Sequence, residues 1–277
     1  MTRVDSPPAR PTGPLHAVGA STLGALGYLG GLVTLVAGAA AELVRPRAGE
    51  PSIRGSAVRH AEWMIGMGAP LAALLHVGLG SFLSMQAFFG ATFIEAAGPV
   101  VAIGLLRNVA PLMTGFLVSG LFAARITPEL RLATEADRSI RPERRAASRI
   151  LGALLAGPVL VLVSTAVGVG VGSVVAAAML GLPAPLFFAK ALEMLWVRDV
   201  WGVVAKGMAF SAVAASLACH EGLRPDADAS PAAVRVSAYR AACLSSVSIL
   251  MMNNAWFLLV YHAGPAFGPT VLLTPGR

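Results

Sequence analysis

Six stretches of the chain run without Asp, Glu, Lys or Arg, or nearly so. Residues 11–41 carry none before Glu42, 63–94 none between Glu62 and Glu95, and 108–124 none between Arg107 and Arg125. Residues 150–189 carry none between Arg149 and Lys190, 200–220 carry only Lys206, and 241–276 carry none, with an apolar core at about 242–261. A helix that crosses a bilayer needs roughly 20 mostly apolar residues. The pattern therefore predicts an all-α integral membrane protein.

The basic residues set the order of crossings. Six Arg precede residue 62, seven lie in 125–149 and three in 221–240, together 16 of the 21 Lys and Arg. Positively charged loops stay on the cytoplasmic side. All three segments fall on one side if 63–90, 108–124, 150–180, 200–219 and 242–261 cross, which leaves the C-terminus outside. A sixth crossing by 15–41 would put the Arg at 45–59 opposite the N-terminus. That stretch is expected to lie instead as an amphipathic or re-entrant element in the inner-leaflet interface, and its six Gly weaken it as a straight span. The organisation expected is a disordered tail over 1–14, an interfacial helix and basic segment over 15–61, a five-helix unit over 62–261, and an outer tail over 262–277. The Pro-rich start, with Asp5 and two Arg, does not read as a secretory signal.

Gly and Pro add detail. Gly66, Gly68 and Pro70 are expected to break the first span. Gly168, Gly170 and Gly172 suit close helix contact, and Gly181-Leu182-Pro183-Ala184-Pro185 should end the third span. Pro128 to Glu135 has helical spacing, with the Pro placed for a first turn.

Composition narrows the class. The 277 residues are 56% hydrophobic and only 13% charged, against about 25% charged in soluble domains. Mean hydropathy is +0.72. An ordinary cytosolic enzyme, a disordered chain and a disulfide scaffold are excluded; Cys219 and Cys243 alone make no framework and no metal site. The net charge of +7 sits beside apolar spans and not on a soluble basic domain, so nucleic acid is a poor partner.

No phosphate-binding Gly-rich loop, HExxH or His/Cys cluster occurs. His76 alone of the five His lies inside a span, as a packing residue or a proton relay. Glu95 and Arg107 flank an apolar turn on the outer side, either at headgroup depth or lining a path. Trp196 to Trp201 reads as an interfacial belt. Lys206 lies about 10 Å along the helix from Asp199, too far for a direct pair, and so needs another partner. The 125–149 segment is either a solvated loop or a docking element.

The residues then recur in a familiar order. Leu23 to Gly30, Leu105 to Pro111, Ala123 to Arg131 with Ala133-Thr134-Glu135, Trp196 to Trp201 with Lys206, and Gly222 with Ser230 to Arg235 are collinear over about 20–260. In that arrangement the chain resembles the MlaE/YrbE permeases of ABC lipid transporters that work with MCE proteins. Gln86 also matches, near the end of the first span. The resemblance implies an interfacial helix plus five transmembrane helices in the inner membrane. It implies a permease dimer on cytoplasmic ATPase subunits, MCE-domain proteins on the outer side, and a phospholipid, fatty acid or sterol as cargo. ATP and Mg would belong to the ATPase, with no cofactor or metal in this chain, which is not itself an enzyme. The substrate path would include Gln86, Glu95, Arg107, Asn108, Asp199 and Lys206. ATPase coupling would fall to Glu129, Arg131, Glu135, Arg138, Arg141, Arg144 and Arg145. Two departures stand out: Asn108 replaces an acidic residue, and 136–145 is shorter and Arg-rich. They fit the divergent member of a heterodimer. An ion- or proton-coupled carrier using Lys206, Asp199 and His76, or a membrane anchor for a cytoplasmic partner, are the alternative readings.

Overall fold

The computed structural model describes residues 14–44, 52–90, 97–137, 139–224 and 230–262. Glu95, Arg138 and nearly all of the two expected tails lie outside the described residues. The elements are α1 (Pro14–Val44), α2 (Ile53–Gly90), α3 (Ala97–Gly104), a π turn (Leu105–Val109), α4 (Ala110–Ala136), α5 (Pro142–Leu180), α6 (Ala184–Glu193), α7 (Val197–Leu223), α8 (Pro231–Trp256) and a second π turn (Phe257–His262). There is no strand among the described residues. Six helices are long and apolar enough to cross a membrane, including Val18–Val44 and the continuous run Val100–Ala136.

Contacts at glycines fix the directions of the bundle helices. Gly152 meets Ala57 and His60, Gly68 meets Leu160, and Gly172 meets Ser84, so α2 and α5 run parallel. Gly157 faces Gly207 and Ser211, while Cys219, further along α7, lies in the electrostatic reach of Arg149, earlier on α5; α7 therefore runs antiparallel to α5. Thr127 binds the Ala218 carbonyl and Arg131 the Glu221 carbonyl, so α4 runs parallel to α7. Gly115 packs on Ile249 while Asn108 meets Asn253, so α8 opposes α4. These five helices alternate in direction along the chain, with the Arg-rich segments gathered at one end.

Three sequence expectations change here. Pro70 does not break α2, which continues through it for 38 residues. Pro128 starts no new helix but lies inside α4. Gly168 and Gly172 make close contacts, at Leu105 and Val101, whereas Gly170 faces open space. Positions i and i+4 share a helix face and i+2 does not. The end of α5 is as expected: Gly181 adopts φ 63°, the left-handed conformation that suits Gly after a helix.

The core has two parts. A large cluster joins α2, α4, α5 and α7 around Phe122, Leu130, Leu160 and Phe210. A smaller one, toward the other end, joins Val101 and Leu105 to Phe187 and Ala191 of α6. α1 stands apart. Leu23, Leu26, Leu29 and Val33 are exposed, and its side-chain contacts fall on the Arg-rich end of the bundle. Tyr28 meets His220 edge-on, Gly31 also meets His220, Gly38 meets Glu143, and Glu42 meets Arg141 and Arg144.

Candidate functional site

Away from the Arg-rich end, the π turn interrupts the helix that carries α3 and α4. A π turn replaces the four-residue ladder locally and loosens its carbonyls. Here it presents Arg107 and Asn108 to α7 and α8. Arg107 Nε and Nη2 each donate to the Asp199 carboxylate at 2.9 Å, and Nη2 also reaches the Met194 carbonyl at 3.2 Å. Such a two-point guanidinium–carboxylate pair is the strong form of the interaction. Asp199 lies in the first turn of α7, where the helix dipole favours a carboxylate, and it accepts the Trp196 N–H at 2.9 Å.

Lys206, two turns along α7, is almost fully buried, as is Asp199. Its ammonium donates to the Arg107 carbonyl at 2.7 Å and to Asn253 Oδ1 at 2.8 Å, with the Phe257 ring 4.9 Å away. Asn253 Nδ2 completes the chain by donating to Asn108 Oδ1 at 2.6 Å. A lone charge in an apolar interior costs several kcal/mol unless dipoles replace its water. Lys206 is held in that way by a carbonyl, an amide and a ring face. These described partners come from α8 and the π turn, in keeping with the two-turn separation of Lys206 from Asp199 on α7. Arg107 pairs with Asp199 from a π turn inside a continuous helical run and not from a loop; the Glu95 that flanks it in sequence lies outside the described residues.

A cavity of about 610 Å³ adjoins this network, lined among others by Arg107, Asn108, Trp196, Arg198 and Phe257. Arg198 stacks over the Trp196 ring at 3.5 Å. The structure thus brings together Arg107, Asn108, Asp199 and Lys206 from the expected path. It leaves Gln86 exposed on α2, apart from them. His76 lies elsewhere, with Nδ1 2.7 Å from the carbonyl of Ala72 in its own helix and its side chain packed at Gly168.

The expected coupling residues divide into separate arrangements. Arg131 is buried and donates to the Glu221 and Arg224 carbonyls at 2.8 Å each, closing the end of α7. Glu129 pairs with Arg125 one turn before it, and Arg125 also covers the Trp63 ring. Glu135 is exposed. Arg141 and Arg144 reach back to Glu42 of α1, at 3.1 and 3.5 Å. Arg145 donates to the Asp137 carbonyl at 2.5 Å. The Ser139 hydroxyl and N–H both bond the Asp137 carboxylate, which holds its pKa below the usual carboxylate value. Sequence reasoning missed Glu42, Glu221 and Asn253. Glu221 is fully buried, 3.7 Å from Arg224 and 3.8 Å from Arg240. Each of the two acids sits where an apolar stretch meets its first charge, which is the one signal the sequence offered for them.

A second cavity, of about 1490 Å³, separates α1 from α7 and α8. Its walls are mostly apolar, with Leu32, Val36, Val213 and Leu244 along it and Arg224 and Arg240 among its polar lining.

Comparison with known proteins adds a lineage to this geometry. The family model described as Permease MlaE matches residues 57–259, from early α2 into the second π turn. Two curated relatives, named as probable ABC transporter permease proteins of Rickettsia typhi and Rickettsia prowazekii, are each 24% identical over 164 residues. The match covers 55% of this chain and 63% of each relative, so the chain spans less than two thirds of their length.

Proposed function

The chain belongs to the MlaE permease family, and from that premise we propose that it is the membrane-spanning subunit of an ABC transporter that moves lipid. The observation that carries the proposal is the family match over the five alternating helices. In this reading the Arg-rich end faces the cytoplasm of the inner membrane, as the distribution of basic residues requires. α1 lies in the interface, because its contacts from Tyr28 to Glu42 stay with the ends of α7 and α5 over about 21 Å of helix. ATP and Mg are bound by a separate ATPase on that face, since the sequence has no phosphate loop. MCE-domain proteins sit over the opposite end.

A lipid cargo suits the large apolar cavity beside α1, and the polar network with its neighbouring cavity marks the far end of the path. The network has a formal charge of +1, from Arg107, Asp199 and Lys206. Arg198 and Glu193, which also line the neighbouring cavity, balance each other in formal charge, so the net positive sign favours an anionic headgroup there. The exposed apolar side chains on α8, such as Val247 and Met251, fit lipid or a second permease subunit. The divergent 136–145 segment favours a heterodimer.

The test is gentle purification through a C-terminal tag and mass spectrometry of the complex. Recovery of an ABC ATPase, a second permease and an MCE-domain protein is the expected result. The chain alone, under conditions that preserve related complexes, overturns the proposal. Reversing charge at Arg141, Arg144 and Arg145 should then uncouple lipid-stimulated ATP hydrolysis in the purified complex; unchanged hydrolysis removes these residues from the coupling role.

A further inference from the structure

At the Arg-rich end, a cavity of about 500 Å³ opens between the end of α1, the start of α2 and the start of α5. Five guanidinium groups line it: Arg59, Arg141, Arg144, Arg145 and Arg149. Among the described residues its only lining carboxylate is Glu42, which Arg141 and Arg144 share. Glu143 adds a second acid, 3.7 Å from Arg141. Glu129, on the neighbouring α4, influences Arg149 but is bonded to Arg125. Arg145 and Arg149 donate to main-chain carbonyls, those of Asp137 and Arg145; the Asp137 carboxylate, bonded to Ser139, is a third acid within reach of Arg145, which still leaves the five arginines in excess. Arg149 Nε is buried with no hydrogen-bond partner among the described residues.

This leaves a confined excess of positive charge, and like charges held so close repel unless a counter-charge joins them. Most of the polar groups on the wall are donors, since Ser52, Ser56 and Ser148 add hydroxyls to the guanidiniums. A group with several acceptor oxygens and negative charge answers both needs, and phosphate is the usual one for arginine. The depth of the cavity narrows the source. The charge-free stretch of α5 begins at Ile150, directly after Arg149, and that of α2 begins at Trp63, one turn after Arg59. The cavity therefore sits where apolar spans meet water, the level of lipid phosphates, and basic pockets between helices at that level suit anionic headgroups.

We propose that this crevice binds the phosphodiester of an anionic lipid from the leaflet on the Arg-rich side, as a resident lipid joining α1 to α2 and α5. The site is distinct from the cargo path and stands whether or not the chain transports lipid.

The experiment uses the full chain in mild detergent. Dioleoyl phosphatidylglycerol, dioleoyl phosphatidylcholine and inorganic phosphate are each titrated against it, with thermal unfolding and native mass spectrometry as readouts. Phosphatidylglycerol should be retained and should raise the unfolding temperature, and phosphatidylcholine should do so weakly. Arg59→Gln with Arg149→Gln should weaken phosphatidylglycerol about a hundredfold, roughly tenfold for each lost charged hydrogen bond. Arg235→Gln removes a charge from the same end of the bundle outside the crevice and should leave the affinity unchanged. Should the double variant fail to fold, Arg59→Gln alone, on an exposed turn, should still cost about tenfold. Equal effects of the two lipids, an equal loss in Arg235→Gln, or full affinity in Arg59→Gln overturns the proposal. Reproduction of the whole shift by inorganic phosphate assigns the crevice to a free anion and overturns the lipid.

Discussion

Arg107 and Arg131 lie on the same continuous helical run, about 35 Å apart, and each fastens it to one end of α7. Arg107 meets a carboxylate at the start of α7, Asp199, through two hydrogen bonds. Arg131 meets main-chain carbonyls at the end of α7, those of Glu221 and Arg224. The difference follows the helix dipole. The start of a helix is electropositive and accommodates an acid, which then recruits the arginine; the end presents unpaired carbonyls, which accept the arginine directly. α4 and α7 run parallel, so two arginines on one helix find opposite chemistry on the other. The Asp199 end also holds Lys206 inside the bundle, whereas the Arg131 end opens onto an excess of arginine at the surface. Depth decides what a charge requires: neutral dipoles and a buried acid in the interior, water or a counter-ion at the boundary.

Substitutions separate these two fastenings. The largest effect is expected for Asp199→Ala, which leaves Arg107 and Lys206 without the buried acid between them. Unfolding in detergent should show a loss of about 3–5 kcal/mol, and a loss under 1 kcal/mol would mean that Lys206 and the carbonyls carry this end alone. Gly157→Val is next. A Cβ there would collide with the Gly207 carbonyl and the Ser211 side chain, and overpacking of this kind costs about 1–3 kcal/mol; an unchanged unfolding temperature would show that α5 and α7 can separate freely.

Arg131→Gln should cost about 1–3 kcal/mol by leaving buried carbonyls unanswered. Its hydrogen-exchange signature should be confined to the ends of α4 and α7, and loosening around Asp199 would show that the two fastenings act as one. Glu42→Gln should cost about 1 kcal/mol, since Arg141 is half exposed and its pair is screened. The loss should shrink in a background of Arg141→Gln and Arg144→Gln. The smallest effect is at Asp137. Its folded pKa is depressed by the Ser139 donors, so its contribution is present at neutral pH and fades as pH falls through the carboxylate range. Ser139→Ala, which keeps the N–H donor and loses the hydroxyl, should shift that pH dependence toward higher pH in an amide titration of the α4–α5 turn.

The spans were legible because a bilayer imposes a length and an apolarity on each crossing, and composition suffices to read both. Gly181 was legible as a helix stop because only its backbone suits the left-handed turn. The partners were not. Arg107 pairs with Asp199, 92 residues away in sequence, and Asn253 gave no sign of facing Asn108 and Lys206. Gly170 was indistinguishable from Gly168 until the helix phase set which faced α2.

The sequence by itself determined the membrane class, the long apolar helices and the places along the chain where the arginines gather. Those properties depend on local composition and on charge at loop positions, which a linear chain carries openly. Only the tertiary structure decided which acid answers which base, that a π turn aims Arg107 and Asn108 at two other helices, and that five arginines from α2 and α5 converge on one crevice. Those outcomes depend on helix phase and on the contact between elements distant in sequence, which close packing settles and periodicity leaves open.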